Sequence, residues 1–408
     1  MRKSNSKREQ KQFMPIDEIL FRAAKDFFIE GRSYDQCVSF WIKQIIPNKS
    51  YSKGFFAEAF MEVIRWSRLL AELGEVRFYP KSSRDVATMV NTWLHFAEPK
   101  TDSATLVSEK LVAFAKSKEL PLPVLQSVPD WLYERGVQEL GSDWDAEMAA
   151  LNTIPQIALR ANSLKITTPQ LKSRLSEEGT QTREVTGLPL ALVLDSRANV
   201  FTSGGFQQGY FEVQDLSSQH VAPFLEVEPG MRVIDACAGA GGKSLHIATL
   251  MQSKGKLLSM DTVLWKLEQL KKRAVRAGIS IIETRTIESS KTVKRLAQSA
   301  DRLLLDVPCS GTGVFRRNPD ARWKLTSAQL DELKGIQADI LNRYTAMVKV
   351  GGKLVYSTCS IFPSENEMQV EAFLQRCNGQ FKLEAEKKIK PSENGSDGFY
   401  MARLVRVS

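Results

Sequence analysis

Two cysteine-containing segments are the parts of this 408-residue sequence best suited to covalent chemistry. Leu305-Asp-Val-Pro-Cys-Ser-Gly-Thr-Gly313 and Tyr356-Ser-Thr-Cys-Ser360 each end an apolar run that predicts a buried strand. Because ligands bind at the carboxyl ends of strands in an open parallel sheet, we expect Asp306, Cys309 and Cys359 at one reactive edge. A lone cysteine is usually a small core residue, but two at one edge, each followed by Ser, indicate nucleophilic catalysis.

A glycine-rich loop supplies the candidate cofactor site. Asp235-Ala-Cys-Ala-Gly-Ala-Gly-Gly-Lys-Ser244 follows a predicted strand and opens a helix, and its glycines let the backbone approach a ligand closely. Asp261 ends the next strand, where a carboxylate can accept hydrogen bonds from the ribose hydroxyls of a nucleoside cofactor. These features suit NAD and S-adenosylmethionine alike. The sequence has no GxxxxGK[ST] loop, which argues against nucleotide hydrolysis.

A methyl donor combined with two cysteines fits methylation of a pyrimidine at C5. That carbon is a poor nucleophile towards a methyl sulfonium, but a thiolate that adds at C6 makes C5 nucleophilic. A base must then remove the C5 proton before the thiolate leaves. Asp306 is expected to hold or protonate the N3/N4 edge of a cytosine, and the target base must be unstacked to reach such a pocket.

Three segments resemble the signature motifs of the Sun-type RNA cytosine-5 methyltransferases: DACAGAGGKS, LLDVPCSGTGVFRRNPDARW and VYSTCSIFPSENE. The resemblance covers about residues 131–408 and includes LRANS (159–163), VQDLSSQ (213–219) and DGFYMARL (397–404). Within the family the sequence resembles the bacterial Fmu/RsmB group, which methylates small-subunit ribosomal RNA.

The resemblance implies roles for individual residues. Cys359 would be the nucleophile, Cys309 would assist product release, and Asp306 would contact the cytosine. S-adenosylmethionine would be the cofactor and RNA the partner. The cofactor-binding residues implied are Cys237, Ala238, Gly239, Ala240, Gly241, Gly242, Lys243, Asp261 and Asp306.

The sequence departs from the family pattern at three points. Gly239-Ala240 stand where the family usually has Ala-Pro. The acid that holds the adenine amino group in the family falls on Ile287, so either Glu288 replaces it through a one-residue shift or the contact is lost. The acid that often follows closely on the ribose-binding acid is absent after Asp261.

We expect three domains and an α/β fold. Residues 1–125 predict an all-α bundle, which faintly resembles a NusB-like RNA-binding domain, and its core candidates are Phe21, Phe28, Phe40, Trp41, Phe56, Phe60, Val63, Ser67 and Leu70. Residues 126–220 predict a small α+β domain with strands at 157–163 and 191–195. Residues 221–408 alternate strands with helices and predict a Rossmann-like class I methyltransferase domain with a mostly parallel sheet, whose strands are expected at 232–236, 256–261, 302–307 and 352–358.

The composition is that of a globular protein, with 43% hydrophobic and 25% charged residues, which argues against disorder. No apolar run reaches the roughly 18 residues of a membrane span. The five cysteines lack the paired spacing of a metal site, so we expect neither a metal nor a disulfide framework. The expectation is a cytoplasmic monomer.

The net charge of +9 is concentrated in residues 271–360. Such a stretch suits a polyanion-binding surface and a solvated face equally. Arg316, Arg317 and Arg322 directly follow the second motif, and we predict that they contact RNA. Two alternatives to a ribosomal RNA methyltransferase remain open: a cytosine-5 methyltransferase acting on transfer RNA, and an RNA-binding ribosome-assembly factor with weakened catalysis.

Overall fold

The computed structural model describes residues 14–45, 53–97 and 103–408, and every structural statement below refers to these ranges. The first 13 residues of the predicted N-terminal domain lie outside them. The chain divides into two compact units, of which one ends at Tyr133 and the other begins at Glu134.

The first unit is helical, as the apolar spacing predicts. Its described helices are Ile16–Phe28, Tyr34–Trp41, Lys53–Arg65, Ser67–Leu73, Ser83–Phe96, Ala104–Lys116 and Leu122–Leu125. The helices Tyr34–Trp41 and Ser83–Phe96 begin at capping boxes, in which a serine and the side chain three residues later satisfy free backbone N–H groups.

The predicted core stripe from Phe56 to Leu70 is buried, but it runs through two helices because the backbone leaves helical geometry at Trp66. Phe40 is an incorrect core prediction, since its side chain is 47% exposed. The short helix that carries it buries only Cys37 and Trp41, and Phe40 lies beside them at the solvent-exposed edge of this face.

The second unit starts with two helices, Asp143–Leu151 and the larger part of Asp130–Leu140. A four-stranded antiparallel sheet follows, with strands β1 (Ala158–Ala161), β2 (Thr182–Val185), β3 (Leu188–Leu194) and β4 (Phe211–Val213) in the order β2-β3-β1-β4. The helix Thr168–Glu177 packs on this sheet and begins at a capping box of Thr167 and Gln170. The strands β1 and β3 lie where the sequence predicts them.

The large sheet has seven strands: β5 (Arg232–Asp235), β6 (Lys256–Asp261), β7 (Ile282–Thr286), β8 (Ala300–Asp306), β9 (Val348–Thr358), β10 (Phe381–Ile389) and β11 (Phe399–Arg406). Their order is β10-β11-β9-β8-β5-β6-β7, in which β5 to β9 are parallel and the two C-terminal strands are antiparallel. The predicted α/β fold class with a mostly parallel, Rossmann-like sheet is therefore confirmed. The strands β7, β10 and β11 are not among the predicted ones.

Helices cover both faces of this sheet, so the middle residues of its central strands are buried and apolar. Adjacent residues of one strand belong to different cores: Val233 and Ile234 on β5, and Leu304 and Leu305 on β8. The remaining α-helices of the second unit are Gly204–Gln207, Leu216–Gln219, Val221–Phe224, Gly242–Leu250, Leu264–Ala277, Ser290–Lys294, Ala321–Lys324, Ser327–Tyr344, Glu367–Arg376 and Pro391–Asn394. Single 3₁₀ turns span Val200–Thr202, Thr312–Val314, Thr345–Met347 and Pro363–Glu365.

Among the described residues, none of the helices combines the length and the apolar character that crossing a bilayer requires.

Candidate active site

Four parallel strands bring the predicted site residues to one edge of the large sheet. β5 ends at Asp235, β6 at Asp261 and β8 at Asp306, while Cys359 directly follows β9. The sheet changes direction at β5, because β6 and β7 extend to one side of it while β8 and β9 extend to the other. Ligands of open parallel sheets bind at such a switch point, which here lies between the cofactor loop and the cysteines.

The side chains of the two predicted catalytic cysteines are in contact. Cys309 Sγ and Cys359 Sγ are 3.4 Å apart and both thiols are free and partly buried. Their strands are neighbours in the sheet, with Asp306 beside Ser357 in register. The hydrogen bond to Cys359 raises the pKa of the Cys309 thiol well above its ordinary value, and burial raises it further. Cys309 therefore keeps its proton at neutral pH.

Asp306 is fixed beside these thiols by two donors. Lys243 Nζ donates to Asp306 Oδ2 at 2.6 Å, and Ser357 Oγ donates to Asp306 Oδ1 at 2.9 Å. Burial acts to lower the pKa of Lys243, but the charge and hydrogen bond of Asp306 outweigh it and raise that pKa. Lys243 is thus a fixed cation paired with Asp306.

The glycine loop has the backbone shape that a nucleoside cofactor requires. Gly239 and Gly241 have φ of 53° and 89°, in the left-handed region that glycine tolerates. A Cβ on Gly241 would lie 2.5 Å from Leu270 Cγ, whereas a Cβ on Gly239 would meet nothing within 4 Å. The loop therefore packs against the helix Leu264–Ala277 at Gly241 and faces open space at Gly239.

Asp261 is held in place by the backbone around it. Its Oδ2 accepts from Gly239 N at 2.9 Å, and its Oδ1 accepts from Val263 N at 2.8 Å. Each carboxylate oxygen keeps a second lone pair for a ligand. An open glycine cradle next to a fixed carboxylate fits the nucleoside part of S-adenosylmethionine.

Asp235, at the start of this loop, is buried with a serine pair. Ser244 Oγ donates to Asp235 Oδ2 at 2.6 Å, and Ser259 Oγ donates to Ser244 Oγ at 2.9 Å. Burial raises the pKa of Asp235 to about 7, although the bond from Ser244 opposes the shift. This carboxyl is accordingly a proton-binding group near neutral pH.

Two arginines that sequence reasoning did not select hold the outer side of the cofactor loop. Arg160 on β1 donates to the Gly242 carbonyl at 2.9 Å, and Arg273 donates to the Ala240 carbonyl at 2.7 Å. Glu212 on β4 pairs with Arg273 at 2.9 Å. Burial lowers the pKa of Arg160 to about 9, while the Glu212 charge counteracts it. Arg160 lies in the LRANS segment (159–163), but these contacts join residues far apart in the chain, so the segment alone does not reveal its role.

Two of the predicted RNA-contacting arginines lie in the interior, and that prediction is corrected for them. Arg316 is 2% exposed and donates to the carbonyls of Gly395 at 2.5 Å and Ala150 at 3.0 Å. Arg322 is 0% exposed and donates to Asn152 Oδ1 at 2.8 Å. Guanidinium groups with internal carbonyl and amide partners hold segments of the protein together and present no charge to RNA phosphates.

Arg317 is partly exposed, but two carboxylates occupy its guanidinium. It donates to Asp397 at 2.6 Å and to Asp215 at 2.5 Å. The interaction with RNA predicted for Arg317 would require these ion pairs to open, so its structural role is to connect the segments that carry the two acids.

The two residues after the end of β7, Ile287 and Glu288, occupy the place of the acid that contacts the adenine in the family. Ile287 is partly buried and packs with Cys237 against the core on one face of the sheet. Glu288 is exposed directly after it.

The described residues contain no group of three or more His, Cys, Asp or Glu side chains placed to hold a metal ion.

Comparison with known families and proteins agrees with this geometry. Residues 222–405 match the family 16S rRNA methyltransferase RsmB/F, and residues 128–201 match the ferredoxin-like domain of RsmF/B-like methyltransferases. A probable ribosomal RNA small subunit methyltransferase B of Synechocystis sp. is 39% identical over 299 residues, which cover 69% of this chain and 67% of the relative. The ribosomal RNA small subunit methyltransferase B of Pasteurella multocida is 34% identical over 294 residues, covering 68% of this chain and 65% of the relative. The chain thus spans about two thirds of the length of these relatives.

Solved structures share the fold. The crystal structure of PH0851 has a TM-score of 0.80 and 25% sequence identity, covering 97% of this chain and 100% of that one. NSun6 from Pyrococcus horikoshii, solved with SFG, has a TM-score of 0.64 and 21% identity over 70% of this chain and 100% of its own.

Proposed function

The chain belongs to the 16S rRNA methyltransferase RsmB/F family, and from that premise we propose that it methylates C5 of a cytosine in small-subunit ribosomal RNA through a covalent cysteine adduct. The observation that carries the proposal is the pair of thiols 3.4 Å apart beside the Lys243–Asp306 ion pair. The relatives named above, both ribosomal RNA small subunit methyltransferases B, support the choice of RNA.

S-adenosylmethionine is the cofactor, and its bound form supplies an electrophilic methyl group. The loop from Cys237 to Lys243 would cradle it, and Asp261 would accept hydrogen bonds from its ribose hydroxyls. Arg160 and Arg273 hold the loop carbonyls on the outer side. The backbone N–H groups of the loop are thereby fixed before the cofactor binds.

Attack begins at Cys359. Its thiolate forms a bond to C6 of the cytosine, and the electrons of the C5–C6 double bond make C5 nucleophilic towards the methyl group. Asp306 is held by Lys243 and Ser357, and its carboxylate accepts a hydrogen bond from the cytosine 4-amino group and orients the ring.

The thiol pair also orders the later proton transfer. The hydrogen bond that the Cys309 thiol donates to Cys359, and the charge on Cys359, are among the causes that raise the pKa of Cys309. Both disappear when the Cys359 sulfur becomes bonded to C6, so the Cys309 proton is then released more readily to solvent. The resulting Cys309 thiolate removes the C5 proton, the C5–C6 double bond re-forms, and Cys359 leaves as a thiolate.

Alanine variants of the two cysteines test this assignment. Cys359→Ala should abolish methylation and give no covalent RNA adduct. Cys309→Ala should permit attack and methyl transfer but stall with RNA bound to Cys359, which a denaturing gel shows as a band shifted by the mass of the RNA and dependent on S-adenosylmethionine. A shifted band in Cys359→Ala alone would mean that the roles are exchanged. Full activity without an adduct in either variant would overturn cysteine catalysis.

Bisulfite sequencing of cellular RNA with and without the gene tests the substrate. A single cytosine of small-subunit ribosomal RNA should lose protection when the gene is removed. Loss of protection in transfer RNA would favour the transfer RNA alternative, and unchanged protection throughout would favour an RNA-binding assembly factor.

A further inference from the structure

We propose that Glu365 is a positioning residue that holds the Cys309 and Cys359 loops at their working distance and thereby sets the rate of product release. The part of this inference that concerns product release rests on the proposed function. The part that concerns the spacing of the thiols rests on the structure alone.

One carboxylate binds the residues that follow both cysteines. Glu365 is 0% exposed. Its Oε2 accepts from Ser310 Oγ and from Ser360 Oγ, both at 2.5 Å. Its Oε1 accepts from the backbone N of Ser310 at 2.8 Å and from Gln337 Nε2 at 2.9 Å. The loops of two cysteines separated by 50 residues in sequence are thus joined through a single side chain.

The four donors decide which role Glu365 can have. A carboxylate offers about four lone-pair sites, and here all of them are used within the protein. Glu365 therefore has no acceptor left for substrate and does not act as a base. Its effect on the reaction must pass through the groups that it holds.

Further bonds show that this is a rigid connection. Gln337 Nε2 also donates to the carbonyl of Pro308 at 3.0 Å, directly before Cys309. Tyr356 on β9 donates its hydroxyl to the backbone carbonyl of Glu365 at 2.6 Å. Both sides of the thiol pair are consequently tied to Glu365 or to its partner Gln337.

The constraint matters because the sheet stops short of the thiols. The ladder between β8 and β9 ends at Asp306 and Ser357, so Cys309 and Cys359 lie on loops beyond it. Attack needs only Cys359, but product release needs both sulfurs near the same ring. A displacement of about 1 Å can cost on the order of 100-fold in rate, so loosening the loops should slow release more than attack.

The first test compares two buried carboxylates. Glu365→Gln replaces two acceptor oxygens with one and places an NH2 group among the serine donors. Glu147→Gln is the matched control, because Glu147 is 3% exposed and accepts from the backbone N and Oγ of Ser392 at 3.1 and 2.6 Å. Glu365→Gln should lower turnover and raise the fraction of enzyme trapped as RNA adduct by about tenfold. Glu147→Gln should leave the adduct fraction at the wild-type level.

The second test needs no RNA. Phenylarsine oxide bridges two neighbouring thiols, forming two As–S bonds and releasing one water, with no change in oxidation state of sulfur. Wild-type protein should bind it tightly, and Cys309→Ser gives the background from the other cysteines. Glu365→Gln should bind the arsenical about tenfold more weakly, because the thiols are no longer held together.

Separate outcomes overturn separate claims. A folded Glu365→Gln protein with wild-type arsenical affinity and a wild-type adduct fraction would overturn the positioning role. If Glu365→Gln does not fold, Ser310→Ala and Ser360→Ala each remove one donor and should shift both readouts in the same direction; no shift in either would also overturn the role. An absence of adduct in every variant, Cys309→Ala included, would overturn the proposed function while the arsenical comparison still decides whether Glu365 spaces the thiols.

Discussion

Asp261 illustrates how a single side chain is prepared for a ligand before the ligand arrives. Its carboxylate is fixed by the backbone N–H groups of Gly239 and Val263, so a ribose would meet an oriented pair of acceptors. Asp261→Asn keeps the shape of the side chain but removes the charge, and it should weaken S-adenosylmethionine binding by about 1.5–3 kcal/mol in titration calorimetry.

The control for Asp261 lies at the opposite edge of the sheet. Asp301 also accepts from a backbone N–H, that of Arg232 at 2.7 Å, but it is near the start of β8. Asp301→Asn should leave the cofactor affinity unchanged. Equal affinities for wild type and Asp261→Asn would contradict the assignment of Asp261 to the cofactor.

The buried carboxyl of Asp235 makes stability depend on pH. Its pKa is about 7 in the folded protein and near 4 when unfolded, so between these values the folded state binds more protons. The contribution of Asp235 to the free energy of unfolding therefore falls as the pH rises through this range, by up to about 1.4 kcal/mol per pH unit. Asp235→Asn removes the titration. Urea unfolding at about pH 5 and about pH 8 should show the variant gaining stability relative to wild type at the higher pH, and parallel changes in both proteins would contradict this.

The site residues that sequence reasoning found are those marked by local pattern. Asp306, Cys309 and Cys359 follow apolar strands, and a strand end is visible in the sequence. Glu365 lies in the third motif, VYSTCSIFPSENE, where the sequence alone gives it no role. Its function depends on Ser310 and Gln337, which only the folded chain brings to it. Arg160 was missed for the same reason.

The cofactor loop is the element whose geometry demands specific residues. At Gly241 both the positive φ and the contact with Leu270 exclude a Cβ, whereas Gly242 has an ordinary helical backbone and nothing within 4 Å of its Cβ position. Gly241→Ala should destabilise the protein by about 1–3 kcal/mol in urea unfolding. Gly242→Ala is the matched control and should leave stability unchanged or raise it slightly. Equal effects of the two substitutions would contradict this account of the loop.

The predicted strands of the large sheet are central ones, although β11, which is also central and mostly buried, was not predicted. β6 occupies the predicted residues 256–261, and β8 and β9 contain nearly all of theirs, because helices cover the central sheet and each of these strands includes a short apolar run. β7 reads Ile-Glu-Thr-Arg-Thr and lies at one edge of the sheet, and β10 at the other edge alternates charged residues. Edge strands bury too little surface to carry a clear apolar pattern, which is why these two were missed.

At the scale of the whole molecule, the basic stretch 271–360 is not one exposed surface. Arg316 and Arg322 belong to it and are interior, and Arg316 lies 3.8 Å from the buried carboxylate of Asp397. Arg316→Ala should lower the free energy of unfolding by about 2–4 kcal/mol, because it removes the guanidinium that donates to the carbonyls of Gly395 and Ala150, while Asp397 keeps its ion pair with Arg317.

An exposed ion pair in the same stretch provides the comparison. Arg343 is 45% exposed in its side chain and pairs with Asp339 at 2.6 Å, so Arg343→Ala should change stability by about 1 kcal/mol or less. Chemical unfolding of both variants measures the difference. Similar small effects would show that Arg316 is a surface charge after all, and it would regain its place as a candidate RNA contact.

The two helices that precede the small sheet contact the region around the site cysteines in the second unit. Trp144 is 0% exposed and its ring stacks on that of Phe362, with centroids 6.3 Å apart. Glu139 accepts from the backbone N and Oγ of Ser364 at 3.0 and 2.8 Å. Both partners lie between the Cys359 loop and the segment of Glu365, so the helices Asp130–Leu140 and Asp143–Leu151 support the region that spaces the thiols.

Two fragments test this dependence. A fragment of residues 128–408 keeps these helices and should unfold in one cooperative transition and bind S-adenosylmethionine with the affinity of the full chain. A fragment of residues 153–408 exposes Phe362, leaves the Ser364 N–H without its acceptor and removes one partner each of Arg316 and Arg322, Ala150 and Asn152. Burying an aromatic ring and satisfying internal polar groups are each worth on the order of 2 kcal/mol, and a domain of this kind is stable by only about 5–15 kcal/mol in total. The shorter fragment should therefore lose its cooperative thermal transition, and equal melting temperatures for the two fragments would show that the catalytic unit begins after Leu151.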